Sequence, residues 1–400
     1  MLQAKRAYEA RVNYQEPSQD EKDYSLYTAL RLFKHATWTL PNDFLSKDHY
    51  LRVLETLNRQ SSPGVPFCRD APTNGKWLKW DGLKYDPDKV EELWYWVRMI
   101  INGKYDHHYR VFIKDEVHNA QKVKEGRWRL ILAGALPMQV VWHMCFDDFN
   151  NLLAERPYHT PAGFGLIYPG GGWRRFRDYL TTYKMNLCID KRAWDFNAPG
   201  WVFQVILSLR RHLCANQNSP QFDKWVELTE KLYMEAYRDA KLFFPSGKVL
   251  QQMFWGFMKS GLVNTIADNS IAQVLLHILA SRRLGIPLEP LKATGDDTIQ
   301  SQPDDIDAYI HEIQKLGCVV KEAVIGYQYM GFDLENFESM YPEKHLASIV
   351  YKEGDVLKDT LDDYTALYAN STKGLTARFW RDLMQELDLK PRLTEFEALF

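Results

Sequence analysis

The sequence predicts an α+β protein that combines helices with at least one antiparallel strand pair, and three observations support this. Residues 291–300 contain two short apolar or β-branched runs joined at Gly295, which is typical of a strand, a tight turn and a returning strand. Residues 185–190 and 318–321 have the composition of further short strands. Apolar residues at three- and four-residue spacing indicate helices over 200–243, 271–284 and 306–316.

Composition sets the limits on fold size and on partners. The chain has 400 residues, of which 46% are hydrophobic and 14% aromatic, enough for one elaborate domain or two to three subdomains. Lys and Arg number 50 against 52 Asp and Glu, so any nucleic acid must bind to local basic patches. Five scattered cysteines without a C-x-x-C pair disfavour a zinc site or a disulfide framework, and favour a reducing compartment.

The sequence predicts a soluble chain without a transmembrane segment. The first residues lack the apolar core of a signal peptide. The longest uncharged run, 130–146, is shorter than the ~20 residues that a membrane-spanning helix needs.

Carboxylates at predicted strand ends form the first candidate site. Asp296 and Asp297 follow Gly295 at the predicted turn, where both side chains can face one side without being separated by strand alternation. A solvated Asp-Asp loop is the common alternative. Asp190 supplies a third carboxylate at the end of the apolar run 185–190, where a charge is costly unless it is paired or bound to metal.

A second candidate site is the basic segment 110–131. Its alternating pattern predicts two strands, with Lys114 on one and with Arg127 and Arg129 on the same face of the other. One interpretation is a solvated sheet edge, where lysine is common. The other is a cationic wall for a triphosphate, because arginine binds phosphate bidentately and lysine supplies a point charge.

Two loops and one helix face complete the candidates. Two prolines and a glycine make 61–67 a rigid extended loop, which is either structural or a guide for a single nucleic-acid strand. Thr265 and Asn269 are four residues apart and share a helix face after Ser260-Gly261, so Asn269 is either a buried structural residue or a reader of a hydroxyl group. The arginines of 173–177 form either an exposed helix face or a nucleic-acid backbone contact.

Taken together and in their order along the chain, the candidate segments resemble the motifs of the RNA-dependent RNA polymerases of positive-strand RNA viruses, in the picornavirus-like supergroup. Asp190-x4-Asp195 is similar to motif A, Ser260-Gly261-x3-Thr265-x3-Asn269 to motif B, and Gly295-Asp296-Asp297 to motif C. Residues 114–131 resemble the basic motif F, and 61–67 motif G. Residues 61–67 and 127–131 also resemble the sobemovirus and luteovirus-like branch. The resemblance covers roughly 60–335.

The resemblance implies a right-hand polymerase fold of fingers, palm and thumb, in which an antiparallel palm sheet packs on helices. The implied subdomains are as follows: fingers 1–180, palm 181–200, a fingers insertion 201–258, palm 259–339 and a small thumb 340–400. A small thumb in this family often accompanies a protein-linked primer.

The resemblance also implies template-directed RNA synthesis from ribonucleoside triphosphates by two-metal nucleotidyl transfer, which replicates and transcribes a viral RNA genome. Two Mg²⁺ ions, for which Mn²⁺ can substitute, would bind Asp190, Asp296 and Asp297. The other implied sets are Lys114, Lys122, Arg127 and Arg129 for the nucleotide phosphates; Asp195, Ser260, Thr265 and Asn269 for the ribose 2′-hydroxyl; and Ser61, Ser62, Gly64 and Gly261 for the template. Lys321 is placed like the motif D lysine that protonates pyrophosphate, with Lys315 or a structural role for Lys321 as alternatives.

The implied partners are an RNA template and product strand, ribonucleoside triphosphates, a protein primer and other viral replication proteins. The implied location is the cytoplasm of an infected host cell, at membrane-associated replication complexes. The competing functions are a reverse transcriptase, a two-metal nuclease or a catalytically inactive palm that serves as an RNA-binding scaffold. Asp195 favours RNA synthesis, because reverse transcriptases carry a bulky aromatic residue near that position. Intact Asp190, Asp296 and Asp297 argue against a scaffold.

Overall fold

The computed structural model describes residues 14–114, 116, 118, 120–392 and 394. The first residues of the predicted fingers (1–13), the last of the predicted thumb (393 and 395–400) and Asp115 of the motif F-like segment lie outside the described residues.

Helices predominate in the described chain. They are α1 Gln19–Leu32, α2 Lys47–Thr56, α3 Asn74–Trp77, α4 Pro87–Ile101, α5 Ala120–Lys124, α6 Leu136–Glu155, α7 Gly172–Thr182, α8 Trp194–Asn197, α9 Gly200–His212, α10 Pro220–Tyr237, α11 Thr265–Leu284, α12 Ile306–Lys315, α13 Pro342–Ile349, α14 Gly354–Leu367 and α15 Ala377–Glu386. Within the described ranges, no helix is both long and apolar enough to cross a membrane.

The strands form three small sheets. They are β1 Tyr109–Ile113, β2 Leu130–Ala133, β3 Met185–Lys191, β4 Lys241–Phe243, β5 Val249–Gln251, β6 Leu291–Thr294, β7 Asp297–Ser301, β8 Val320–Ile325, β9 Gln328–Tyr329, β10 Phe332–Asp333 and β11 Glu338–Ser339. The sheet orders are β2-β1-β4-β5, β6-β7-β3-β8 and β11-β10-β9. Every strand pair is antiparallel except β1 with β4. The predicted α+β class is therefore confirmed.

The sheet β6-β7-β3-β8 determines where the candidate carboxylates lie. Thr294 pairs with Asp297 across the β6–β7 turn, and Ile189 of β3 pairs with Thr298 of β7. In an antiparallel sheet this register puts the end of β3 beside the β6–β7 turn. The predicted strand–turn–strand unit at 291–300 is confirmed.

Helix α11 packs behind this sheet as a central, buried element. Every residue from Ala267 to Ser281 is buried. Its Asp268 forms a buried ion pair with Arg210 of α9 at 2.7 Å and accepts hydrogen bonds from the hydroxyls of Tyr233 and Tyr237, both at 2.9 Å. A buried charge is tolerated only when it is satisfied in this way. These bonds fix α11 against α9 and α10, and Asn269 and Ser270 directly follow Asp268.

Two predictions of local structure need correction. Arg127 and Arg129 were predicted on a strand, but β2 begins only at Leu130, and the residues before it form the short helix α5 and a turn. Lys114 likewise lies just beyond β1, although its N–H donates to the carbonyl of Arg129 at 2.8 Å. The helix predicted over 200–243 divides into α9 and α10 and is followed by strand β4, since Pro220 begins a new helix.

Candidate active site

Three carboxylates lie at one end of the sheet β6-β7-β3-β8. Asp190 is the penultimate residue of β3, Asp296 lies in the β6–β7 turn, and Asp297 begins β7. Gly295 adopts a left-handed conformation with φ of 63°, which a glycine accepts without strain. Its N–H donates a hydrogen bond to Ser270 Oγ of α11 at 2.9 Å. The local sequence therefore forms the turn, and α11 fastens it.

Burial and repulsion among the carboxylates raise the pKa values of Asp296 and Asp297. Both side chains remain partly accessible, yet burial raises the pKa of each. Repulsion from Asp296 adds to the effect of burial on Asp297, whose pKa rises to about 6. The charge of Asp190 raises the pKa of both groups. Like charges held together in this way favour binding of a cation.

Two lysines partly neutralise the cluster. Lys191 is buried, and its Nζ donates to the carbonyl oxygen of Ile189 at 3.0 Å and to Thr298 Oγ1. Burial lowers the pKa of Lys191 to about 8, although the charges of Asp190, Asp296 and Asp297 act in the opposite direction. Lys321 of β8 donates to the carboxylate of Asp190, and this hydrogen bond raises the pKa of Lys321.

The carboxylate oxygens suit a hard divalent cation, which prefers oxygen ligands. Among the described residues, however, no group of three or more His, Cys, Asp or Glu side chains is drawn together as a metal site. A carboxylate oxygen of Asp190 accepts a hydrogen bond from Lys321 in this structure. The residues fit the cation by donor chemistry and charge, and Lys321 would have to release Asp190 when the cation binds.

Asp195 and Asn269 of the predicted ribose set meet beside the carboxylates. Asn269 Nδ2 lies 3.5 Å from Asp195 Oδ1, and Trp194 Nε1 donates to Asn269 Oδ1 at 2.8 Å. Burial raises the pKa of Asp195 to about 6, and the charge of Asp296 adds to this. The Trp194 bond orients the amide of Asn269, so that its Nδ2 faces Asp195.

Ser260 and Thr265, the other members of that set, are engaged elsewhere. Ser260 Oγ donates to the carbonyl of Leu130 at 3.2 Å. Thr265 Oγ1 lies 2.9 Å from the carbonyl of Lys259 and 2.7 Å from that of Leu262. Both hydroxyls thus bond to the backbone in this structure, and Ser260 ties its loop to β2.

The basic segment forms two subsets. Lys114 and Arg129 both pair with Glu116, at 2.9 and 3.0 Å. Burial alone would raise the pKa of Glu116. The hydrogen bond from Lys114 and the charge of Arg129 outweigh burial and hold this pKa below its usual value. Arg129 also acts electrostatically on Asp195 and Asp296, so its charge reaches the carboxylate cluster.

Lys122 of α5 and Arg127, which follows the turn after α5, form the second subset. The Arg127 N–H donates to the carbonyl of Lys122 at 2.8 Å, and the Arg127 side chain pairs with Glu125.

The structure brings in two lysines that the sequence analysis did not single out. Lys191 directly follows Asp190 in the sequence, and no predicted motif includes it. Lys344 of α13 interacts electrostatically with Glu116 and with three cations of the basic segment, Arg129, Lys114 and Lys122. Partial burial is the main cause of its lowered pKa, and repulsion from the three cations adds to this effect. In the sequence, Lys344 is a basic residue in a segment that carries no motif, so nothing there marks it as part of the site. Lys344 therefore adds a cation from the C-terminal helices to the basic segment.

Two of the predicted template residues, Gly64 and Gly261, lie against the backbone at the end of β2. Gly261 bridges Ala133, and a Cβ atom at Gly261 would lie 2.6 Å from the Leu132 carbonyl oxygen. A Cβ atom at Gly64 would lie 2.4 Å from the carbonyl oxygen of Gly134. Both glycines are thus required by close backbone approach.

The side chain of Gln139 holds the 61–67 loop at this junction. Its Nε2 donates to the carbonyls of Ser62, at 2.9 Å, and Gly134, at 2.7 Å. The N–H of Leu136 donates to the carbonyl of Pro63 at 2.7 Å. The segments that carry motifs F, B and G in the resemblance therefore converge on residues 130–136.

Sequence comparison identifies the class of protein. Residues 2–323 match the profile of the family described as viral RNA-dependent RNA polymerase. The chain belongs to this family, which implies a right-hand polymerase fold, and its mixture of helices and antiparallel sheets agrees with that fold.

The chain is similar to proteins of several viruses. It is 26% identical over 233 residues to the RNA-directed RNA polymerase of Mushroom bacilliform virus, across 55% of this chain and 54% of that protein. It is 25% identical over 299 residues to replicase polyprotein P2AB of Southern cowpea mosaic virus, across 68% and 28% of the two chains. It is 22% identical over 294 residues to Protein P1-P2 of Pea enation mosaic virus-1, across 65% and 23%.

The chain thus spans about half the length, or less, of these relatives. The resemblance to polymerases of positive-strand RNA viruses, including the sobemovirus and luteovirus-like branch, is confirmed.

Proposed function

We propose that this chain synthesises RNA on an RNA template from ribonucleoside triphosphates, as the replicating and transcribing enzyme of a viral RNA genome. The observation that carries the proposal is the meeting of Asp190, Asp296 and Asp297 at one end of an antiparallel sheet, in a chain of the viral RNA-dependent RNA polymerase family. Nucleotidyl transfer has little need of covalent chemistry from the protein, so it depends on positioning and on charge stabilisation.

The proposed architecture is a right hand. The palm comprises 181–200 and 259–339 and contains the sheet β6-β7-β3-β8 with α11 behind it. The fingers comprise 1–180 and 201–258, and the thumb comprises 340–400, whose described part holds α13, α14 and α15. The electrostatic interaction of Lys344 with Lys114, Lys122 and Arg129 supports a thumb that approaches the basic segment of the fingers.

In the proposed mechanism, Asp190 and Asp296 would hold two Mg²⁺ ions, and Asp297 would assist them. The bound ions would neutralise charge on the attacking and leaving oxygens. Mn²⁺, which has a similar preference for oxygen ligands, would substitute for Mg²⁺. Lys321, which donates to Asp190 in this structure, would have to release that carboxylate for a cation, and its ammonium group would then be free to give a proton to the departing pyrophosphate.

The nucleotide phosphates would bind Lys114, Lys122, Arg127 and Arg129. Arg129 is the strongest candidate, because its charge already reaches Asp195 and Asp296. Bidentate arginine contacts would orient the triphosphate with its α-phosphate towards the carboxylates.

Ribose selection is assigned to Asp195 and Asn269, assisted by Ser260 and Thr265. Asp195 and Asn269 lie next to the carboxylate cluster and contact each other. A deoxyribose would leave these polar groups without a partner, and a site that is unsatisfied in this way discriminates strongly. This arrangement favours RNA synthesis over reverse transcription.

The wider setting follows from the family. The partners would be template and product RNA, ribonucleoside triphosphates, a protein primer and other viral replication proteins. The enzyme would act in the cytoplasm of an infected host cell, at membrane-associated complexes to which other proteins attach it.

The decisive experiment measures Mg²⁺-dependent incorporation of ribonucleotides on a primed RNA. Asp296→Asn keeps the size of the side chain and removes its charge, and we expect it to abolish incorporation. Asp307→Asn, at an exposed position in the first turn of α12, is the matched control and should retain full activity. Undiminished incorporation by the Asp296→Asn enzyme would refute the proposal.

The same reactions separate the alternative functions. Preferential use of deoxyribonucleotides would indicate a reverse transcriptase, and cleavage of RNA supplied alone would indicate a nuclease. Binding of RNA without any incorporation by the wild-type chain would indicate a scaffold.

A further inference from the structure

Arg110 lies at the junction of the 61–67 loop with the residues around Gly261, and it is outside the predicted template set. It lies on β1 directly opposite Ala133 of β2, and Ala133 in turn bridges Gly261. Its guanidinium Nη1 is 3.5 Å from Ser62 Oγ, in the 61–67 loop. Arg110 therefore connects β1 to the same loop that Gln139 holds in place.

The charge of Arg110 is available for binding. Lys114 and Arg129 share Glu116, and Arg127 pairs with Glu125. Across the part of the chain that the structure describes, by contrast, no carboxylate lies within ion-pair distance of Arg110. Its guanidinium lies 4.9 Å from the ring centre of Phe112, which supports the side chain without neutralising it. The contact with Ser62 is at the outer limit of a hydrogen bond and leaves most of the N–H donors unused.

The Ser62 hydroxyl retains a donor for a ligand. Its Oγ accepts from the N–H of Gly64 at 3.3 Å as well as from Arg110. The Ser62 carbonyl, which would otherwise repel an anion, already accepts from Gln139. Because Oγ accepts two bonds and its proton has no acceptor among the described residues, the hydroxyl is left to donate outward. The pair thus presents only donors and one positive charge, which is the chemistry that recognises a phosphate oxygen.

We propose that Arg110 and Ser62 form a binding site for a backbone phosphate of the RNA template. The inference rests on the proposed function and extends it to a residue outside the predicted template set. Arg129 marks the nucleotide side of the basic segment, because its charge acts on Asp195 and Asp296. Arg110 is linked instead to the 61–67 loop and, through Ala133, to Gly261. Phosphate contacts of this kind fix the register of a strand without reading its sequence.

The test is direct binding of RNA by the full chain, without nucleotides or divalent metal. Fluorescence anisotropy of a labelled single-stranded oligoribonucleotide gives Kd across a series of KCl concentrations. We expect Arg110→Gln to weaken binding about tenfold, the size of one charge-assisted hydrogen bond. The magnitude of the slope of log K against log salt should fall by ~0.7, since one phosphate contact on a single strand is lost.

Three further variants sharpen the result. Arg110→Lys keeps the charge and should preserve the salt slope while losing part of the affinity. Ser62→Ala should weaken binding less than Arg110→Gln, and it carries the test alone if Arg110→Gln does not fold, as judged by circular dichroism and thermal melting. Arg378→Gln, at a position with an 85% exposed side chain on α15, is the control and should bind RNA as the wild type does.

Two outcomes would overturn the inference. One is an unchanged Kd and salt slope in both folded Arg110→Gln and Ser62→Ala chains. The other is unchanged RNA binding by Arg110→Gln together with a raised KM for nucleotides in primer extension, which would move Arg110 to the nucleotide site. Because RNA binding is measured without catalysis, failure of this inference is distinguishable from failure of the proposed polymerase activity, which the Asp296→Asn enzyme tests.

Discussion

The backbone N–H of Gly295 donates a hydrogen bond to the side chain of Ser270 at 2.9 Å. This bond joins the turn that carries Asp296 to the helix that carries Asn269, the residue just before Ser270. Ser270 Oγ also donates to the carbonyl of Ile266 at 2.7 Å, so its proton is committed and its oxygen is left to accept from Gly295. One side chain thus sets the distance between the carboxylate turn and the proposed ribose site.

The first prediction is that Ser270→Ala lowers kcat about tenfold in primer extension. The substitution leaves the Gly295 N–H without its partner, which costs roughly 1–3 kcal/mol when such a group is buried. A turn released from α11 no longer holds Asp296 at a fixed distance from the substrate, and a loss of ~1.4 kcal/mol in the transition state corresponds to tenfold in rate.

The control lies on the same helix. Ser281 is buried in α11, and among the described residues its Oγ has no hydrogen-bond partner. Ser281→Ala should therefore leave kcat unchanged and should not lower the melting temperature. Equal activities for the two alanine variants would show that the bond to Gly295 is not needed.

The second prediction concerns pH and the choice of sugar. Burial raises the pKa of Asp195 to about 6, so its carboxylate is charged above this value and neutral below it. A charged carboxylate accepts the stronger hydrogen bond from a 2′-hydroxyl. The ratio of kcat/KM for a ribonucleotide to that for its deoxy analogue should therefore fall as the pH drops from about 7.5 to about 5.5.

This ratio cancels effects that both substrates share, including protonation of the metal-binding carboxylates. Asp195→Asn has no titrating group at this position, so its ratio should be low and nearly independent of pH over the same range. A wild-type ratio that stays constant across the pKa of Asp195 would remove that residue from the ribose site.

The third prediction concerns Lys321, whose ammonium group bonds to the Asp190 carboxylate. In Lys321→Gln this competitor for the metal-binding carboxylate is gone, so the Mg²⁺ concentration that gives half-maximal activity should fall. If Lys321 also protonates pyrophosphate, kcat at saturating Mg²⁺ should fall by about 10² or more, the usual contribution of a general acid.

Lys315 is the matched control, because it was the alternative in the sequence and it pairs with Glu312 on α12. Lys315→Gln should change neither kcat nor the Mg²⁺ requirement. If Lys315→Gln reduced kcat and Lys321→Gln did not, the proton donor would be Lys315 instead.

Local patterns were sufficient for part of this site. The β6–β7 turn was predictable because Gly295 and the flanking β-branched residues specify it within ten positions. The Arg127 and Arg129 segment was predicted wrongly as a strand, since its alternating pattern was weaker than the turn that ends α5. The approach of Lys344 to the basic segment had no local signal at all, because it depends on packing between elements more than two hundred residues apart in sequence.

The last prediction compares two glycines with positive φ, Gly64 at 63° and Gly247 at 81°. Alanine in this conformation costs about 1–2 kcal/mol at either position. A Cβ at Gly64 would also lie 2.4 Å from the Gly134 carbonyl oxygen, whereas nothing lies within 4 Å of one at Gly247. Overpacking adds about 1–3 kcal/mol to the loss of unfolding free energy in Gly64→Ala. Gly64→Ala should therefore lower the melting temperature more than Gly247→Ala does.

The collision at Gly64 has a functional consequence that the strain at Gly247 lacks. Relief of the contact with Gly134 would push the 61–67 loop away from residues 130–136 and from Arg110. We therefore expect folded Gly64→Ala to bind single-stranded RNA more weakly than wild type, and Gly247→Ala to bind it normally, in the same anisotropy assay. Equal melting temperatures and equal RNA affinities for the two variants would mean that close approach of the loop to Gly134 contributes neither to stability nor to template binding.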